Sequence, residues 1–278
     1  MQAALDYLER NRDRFLELLF EFLKIPSISA QHAYDEHTVR AGEFIRARLD
    51  DAGFTTGTYQ GDGLPTVYGS RIEGDDRPTL LLYGHYDVQP AEPLELWETP
   101  PFEPTVIDGE IRARGCADDK GPTLAMTLAA ECWVKGAGGL PVNLRAAIEG
   151  EEESGGTVIN DYLAEHKDEL KADAVLIADC AGVARGVPAL CYGLRGLVAA
   201  EVKLTGPGRD LHSGSYGGTV ANPATAIARL VYYRHPEPLP LPDDVEALGH
   251  YYKKYFNTAL GKGSAEEFVR NYKRHVMK

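Results

Sequence analysis

Apolar residues recur at helical intervals through the opening segment. Leu5, Leu8, Leu16, Leu19, Phe20 and Leu23 share a face, and Pro26 forbids continuation. The pattern predicts one long amphipathic helix. A second helical pattern covers residues 36–52, with Val39, Phe44, Ile45 and Leu49 apolar, and stops at Gly53, a residue type that closes helices. The period then changes. Residues 79–83 (TLLLY), 142–148 (VNLRAAI) and 174–178 (AVLIA) are short, largely apolar runs that suit strands covered on both faces. Helical stretches, from Gly121-Pro122 to about Val134 and from Gly156 to about Ala164, alternate with them. That alternation predicts an α/β fold, a mainly parallel sheet flanked by helices.

Beyond residue 188 the character shifts. Residues 197–204 read as a more exposed strand and 206–218 as a Gly-rich loop, while Asn222-Pro223 forms a cap and first helical position for a helix to about Tyr233. The chain is thus expected to divide at 188, with a further change at 238. Residues 238–278 hold seven Lys or Arg and five Asp or Glu, net +2, within a 278-residue chain of net charge −13. The overall charge opposes a broad hold on nucleic acid or anionic membrane. The start of the chain has no apolar leader, and the apolar runs fall well short of a membrane helix, so a cytoplasmic chain is expected. Cys116, Cys132, Cys180 and Cys191 form no CxxC pair and read as small buried hydrophobes. No HExxH or GxSxG is present, and GKGS at 261–264 lacks phosphate-loop spacing.

The residues with chemistry to offer stand just past the apolar runs. Ligands in open α/β sheets bind beyond the carboxyl ends of strands, and those positions hold His85, the acidic stretch 149–153 and Asp179. In GHYDVQP, His85 and Asp87 are two apart, so extended backbone puts them on one side and the carboxylate can orient the imidazole. Alone, such a pair is ordinary turn polarity. Asp118 and Asp119 in GCADDKGP stand at the mouth of a helix, as a plain acidic cap would. IEGEEESGG crowds four glutamates into five positions, a repulsion that either solvent or a cation relieves. Taken together, one histidine and carboxylates from three segments make a donor set suited to zinc, manganese or cobalt. If one carboxylate bridges, two ions can share a water, and a glutamate free of metal can act as base.

The motifs GHYDVQPAEPLELWETPPFEP, ARGCADDKGPTLA, IEGEEESGG, LIADC, YGLRG and LHSGSYGG resemble, in this order, the dizinc metallopeptidase family of carnosinase-type and cytosolic non-specific dipeptidases, aminoacylases and glutamate carboxypeptidases. The resemblance implies a zinc-exopeptidase-like catalytic domain over residues 1–187 and a partial α+β lid over 188–237. It leaves 238–278 an unassigned basic helical tail. It implies that His85 binds one metal with Asp87 orienting it, that Asp118 bridges two metals, and that Asp119 is a neighbour only. Glu152 would be the general base, Glu153 a ligand of the second metal and Asp179 the other carboxylate ligand. His212 matches a lid histidine that, in dimeric members, reaches the partner's active site and stabilises an oxyanion. Its plainer reading is a hydrogen-bonded loop histidine.

The implied cofactors are two divalent ions, zinc first, with manganese or cobalt as alternatives. The implied partners are a dipeptide or N-acyl amino acid substrate and a second copy of the chain joined through the lid. The resemblance runs over roughly residues 1–235, and neither His250 nor His275 stands in the context of the family's final metal-binding histidine. The primary expectation is therefore a metal-dependent hydrolase. The alternative is a truncated, non-catalytic remnant that binds metal or a partner subunit.

Overall fold

The computed structural model describes residues 1–180, 187, 189–193, 196 and 201–232. The chain divides into two compact units, 1–194 and 195–278. In the first, the expected long N-terminal helix is two helices, α1 (Gln2–Arg10) and α2 (Arg12–Leu23). Asn11 breaks them apart with φ −111° and ψ 11°, and its Nδ2 donates to the Tyr7 carbonyl at 2.8 Å. The buried face is accordingly Ala4, Phe15, Phe22 and Leu23, while Leu5, Leu8 and Leu16 are exposed. Helix α3 (Asp35–Asp51) keeps to the predicted pattern, and Gly53, at φ +81°, donates to the Asp50 carbonyl just beyond its end.

Two unpredicted strands come next, β1 (Thr55–Tyr59) and β2 (Thr66–Arg71). After them come β3 (Thr79–His85), a small hairpin of β4 (Thr105–Ile107) with β5 (Glu110–Arg112), and helix α4 (Lys120–Glu131), which runs into a π turn. Strand β6 (Asn143–Glu149), helix α5 (Val158–Glu165) and strand β7 (Ala174–Ile177) complete the described part of this unit. The central sheet has the order β1-β2-β6-β3-β7. Strand β3 runs parallel to both β6 and β7, and β2 alone is reversed, antiparallel to β1 and β6. The sheet is mainly parallel, as the alternation of strands and helices predicts.

Side-chain alternation explains the continuous apolar runs. Leu82, Ala146 and Ile148 face one way and pack with Phe22, Ile45, Leu49 and Leu124 from the helices. Ala147 faces the other way with Ile159 and Tyr162, against which Leu81 and Tyr83 pack. Each fully buried Leu or Ile contributes roughly 1.5–3 kcal/mol. Strand β7 departs from this expectation. Its apolar residues Val175, Leu176 and Ile177 are exposed on both faces, because among the described residues β7 is the outermost strand and pairs only with β3.

In the second unit, residues 201–204 of the expected strand form no strand, and 197–200 lie outside the described residues. Two helices are described, α6 (Ser213–Tyr216) and α7 (Pro223–Tyr232). Asn222 caps α7 as predicted, its Oδ1 accepting the Ala224 N–H at 2.8 Å. The basic tail 238–278, with His250 and His275, also lies outside the described residues. The cysteines differ from expectation. Cys132 is buried, but Cys116 is half-buried and Cys180 and Cys191 are exposed. Among the described residues, no helix is long and apolar enough to cross a membrane.

Candidate metal centre

The site grows from the carboxyl end of β3. Register pairs His85 with Glu149, so β3 and β6 end level with one another. Beyond His85 the backbone stays extended, which turns Tyr86 to the opposite side from His85 and Asp87. Tyr86 is fully buried and its hydroxyl donates to the Pro65 carbonyl. Gly42 makes room for it, since a Cβ there would sit 2.9 Å from the ring Cζ. The segment after α2 runs alongside: Ile28 pairs with Val88, the Ser27 hydroxyl donates to the Tyr86 carbonyl at 2.7 Å, and Val88 N–H donates to the Ser27 carbonyl at 2.9 Å. The strand extension is clamped from both sides.

Asp87 is the hub of the arrangement. It is fully buried, and its carboxylate gathers four donors: the Ser29 hydroxyl at 2.6 Å, the backbone N–H of Glu152 at 3.3 Å and of Glu153 at 3.1 Å, and His85 Nδ1 at 3.3 Å. His85 Nδ1 also lies 3.1 Å from the Asp87 carbonyl, so both neighbours of this nitrogen are acceptors and it must carry a hydrogen. In the neutral ring Nε2 is then left with its lone pair. It points at Asp118 Oδ1, 3.1 Å away, and Asp179 Oδ2, 3.7 Å away.

Among the described residues, His85, Asp118 and Asp179 are brought together as a group able to hold an ion, with donor atoms all within 4.8 Å of one another. Donors ~2.0–2.2 Å from a tetrahedral zinc lie roughly 3.4 Å apart, so the spacing fits. The electrostatics fit as well. Burial pulls the His85 pKa down, but the carboxylates of Asp87, Asp119 and Glu152 outweigh it and push the pKa up to about 10. The cluster thus calls for a positive charge, which a divalent ion at Nε2 can supply in place of a proton. Asp119 turns inward, its Oδ2 accepting from the Thr123 hydroxyl at 2.7 Å and from the His85 N–H at 3.1 Å. Gly84 is what permits this approach, because a Cβ there would lie 2.1 Å from Thr123 Oγ1 and 2.8 Å from Asp119 Oδ2. Burial raises the Asp119 pKa to about 6. Next to it, Lys120 is fully buried, and its Nζ donates to the carbonyls of Phe22 at 3.1 Å and Ile25 at 2.5 Å, tying the end of α2 to the start of α4.

The four crowded glutamates have separate fates. Glu149 accepts from the Tyr83 hydroxyl, and Glu151 from the Leu64 N–H at 2.9 Å. Glu153 accepts from Gln89 Nε2 at 2.8 Å. Glu152 is exposed, yet its carboxyl pKa is raised, first by partial burial and then by Glu153, Asp87 and Asp179, with His85 opposing. A carboxylate poised above its usual range beside a cation site is suited to accept a proton from water. His212 belongs to the second unit, where its Nδ1 accepts the Gly214 N–H at 3.0 Å and caps α6.

Sequence reasoning missed Ser29, Gln89 and Tyr86. Gln89 and Tyr86 sit inside GHYDVQP, and the period-two alternation that pairs His85 with Asp87 extends to Gln89. Ser29 carried no signal in the sequence.

A mainly parallel α/β sheet thus carries a His–Asp–Asp cluster, able to hold a metal ion, at the carboxyl ends of its strands. The chain belongs to peptidase family M20/M25/M40, which it matches over residues 81–258, further toward the C-terminus than the motifs alone reach. It is 34% identical over 248 residues to the Cys-Gly metallodipeptidase dug1 of Schizosaccharomyces pombe, covering 83% of this chain and 52% of that one. It is 30% identical over 246 residues to the Homo sapiens Beta-Ala-His dipeptidase, covering 83% of this chain and 48% of that one. The solved structure of the dipeptidase Dug1p from Saccharomyces cerevisiae shares the fold, with a TM-score of 0.70 at 24% identity over 96% of this chain and 57% of that one. The chain spans about half the length of the curated relatives it matches.

Proposed function

We propose that this chain carries the catalytic centre of a metal-dependent dipeptidase that hydrolyses dipeptides or related N-acyl amino acids. The observation that carries the reading is the His85–Asp118–Asp179 cluster with Glu152 beside it. In this reading His85 and Asp179 would hold one ion and Glu153 a second, with Asp118 shared between the two; zinc is the first candidate for both, manganese or cobalt the next. Divalent ions at such a site polarise the scissile carbonyl and lower the pKa of water. Glu152 takes a proton from the attacking water as its oxygen bonds to the carbonyl carbon. It then delivers that proton to the amine nitrogen as the C–N bond breaks, and transfer of the water's second proton from the new carboxyl group to the amine leaves a carboxylate and an ammonium. Asp87 keeps the His85 hydrogen on Nδ1. His212 is assigned to the oxyanion in a homodimer joined through the second unit, a role that rests on its LHSGSYGG context.

The test is turnover of Cys-Gly and β-Ala-His by purified 1–278 supplied with Zn2+ or Mn2+. The expected result is hydrolysis that a chelator abolishes and that Glu152→Ala lowers by two or more orders of magnitude, on the order of a general base's contribution. Normal turnover by Glu152→Ala overturns the assignment of the base. A second reading, a non-catalytic relative that retains metal, draws on one observation: among the described residues His85 is the only histidine in a potential ion-binding group. Zinc binding without any turnover would select it.

A further inference from the structure

Residues 85, 87 and 89 alternate onto one side of the extended segment beyond β3. His85 offers Nε2 to the cluster, and Asp87 grips the backbone of the Glu152–Glu153 turn. Gln89 completes the series: its Nε2 donates to the Glu153 carboxylate Oε2 at 2.8 Å and to the Glu153 carbonyl at 3.2 Å. One amide therefore holds both the backbone and the side chain of the same residue. With Glu153 N–H on Asp87 at 3.1 Å, Glu153 is fixed at three points by two residues of one segment.

We propose that Gln89 is a positioning residue for metal binding, holding the Glu153 carboxylate through Oε2 so that Oε1 is presented to the ion that Glu153 ligates. The chemistry of the residue type supports this. A neutral amide donates to a carboxylate without cancelling its charge, whereas Lys or Arg in this place would compete with the cation. Gln89 is itself exposed, and a solvent-facing amide contributes little to folding, so its effect on the ion is separable from an effect on the fold. The inference rests on the functional reading only in taking Glu153 as a ligand.

The test is calorimetric measurement of Zn2+ affinity on the full 1–278 chain, comparing the wild type with Gln89→Ala, Glu153→Gln and the double variant. Gln89→Ala is expected to weaken the same binding event that Glu153→Gln weakens, by roughly 10-fold, the scale of lost support to a metal ligand. Its thermal midpoint without metal should match the wild type, and the double variant should bind as Glu153→Gln alone does. Unchanged affinity in Gln89→Ala overturns the proposal. So do losses that add in the double variant, a lowered metal-free midpoint that accounts for the loss, or a Glu153→Gln variant with wild-type affinity. Failure of the wild type to hydrolyse dipeptides would sink the functional reading and leave this comparison readable.

Discussion

The two sides of the candidate centre are built differently. On one side His85 and Asp87 are fully buried, the Asp87 carboxylate matched by Ser29 in the segment after α2, by His85 and by the Glu152 turn. On the other, the Asp118 and Asp179 side chains keep 61% and 32% of their exposure. The buried side is set before any ligand arrives, because removing a hydrogen-bond partner there strands a buried polar group. The exposed side can adjust, since solvent serves its carboxylates whenever an ion does not. Folding energy and ion binding should therefore separate along this line.

The largest effect expected is that of Asp87→Ala. It leaves the Ser29 hydroxyl and two backbone N–H groups without their acceptor and removes the carboxylate beside His85, and urea denaturation of the metal-free protein should show a loss of about 3–5 kcal/mol. A loss below ~1 kcal/mol would erase the contrast between the two sides. Asp179→Asn should do the reverse: stability within about 0.5 kcal/mol of wild type, with Zn2+ affinity falling by on the order of 100-fold in calorimetry. Equal losses in both measurements would place Asp179 in the structural half.

The third prediction concerns pH. His85 has its pKa raised from 6.5 to about 10 in the fold. Its contribution to stability is therefore complete below pH 6.5 and is lost as pH rises through about 10. Asp119, raised from 3.8 to about 6, acts in the same direction, since the fold binds its proton more tightly and that contribution fades as pH climbs from 3.8 through 6. Zinc competes with the imidazole proton, so the gap in melting temperature between zinc-loaded and chelator-treated protein should widen between pH 6 and 9. A gap that narrows over that interval would contradict the pre-charged cluster. The smallest effect expected is that of Ser29→Ala, about 1–2 kcal/mol in stability for one hydrogen bond to a carboxylate, with Ser29→Thr restoring most of it. Co2+ absorption spectra should shift in Ser29→Ala and return in Ser29→Thr if the bond orients His85 through Asp87.

How much of this was legible in the sequence varied with the physics of each part. Strands β3 and β6 lie between two helical layers, so burial wrote a continuous apolar run into them. Strands β1 and β2, TTGTY and TVYGSR, are half polar and interrupted by glycine, and only the pairing of β2 with β6 and of β1 with β2 makes them strands. The break at Asn11 was hidden because Leu5, Leu8 and Leu16 kept a helical rhythm without being buried. The convergence of His85, Asp118 and Asp179 could be inferred from the rule that ligands gather where parallel strands end. Ser29 could not be read that way. Its bond to Asp87 exists only because the segment after α2 is laid beside Val88, a tertiary fact that no local pattern encodes.

The bonds around Asp87 also determine how small a piece of this protein can be and still present the centre. Ser29 is 58 residues from Asp87, Glu153 is 66 residues on, and Phe22 and Lys120, which lock α2 to α4, are 98 apart. Every one of these closures joins distant parts of the chain, so the geometry is a property of the whole stretch from residue 22 to 153 and beyond. A peptide bearing GHYDVQP, or one bearing IEGEEESGG, would keep the donor atoms and lose the arrangement. For anyone seeking to transplant this centre, the transferable unit is the domain, not the motif.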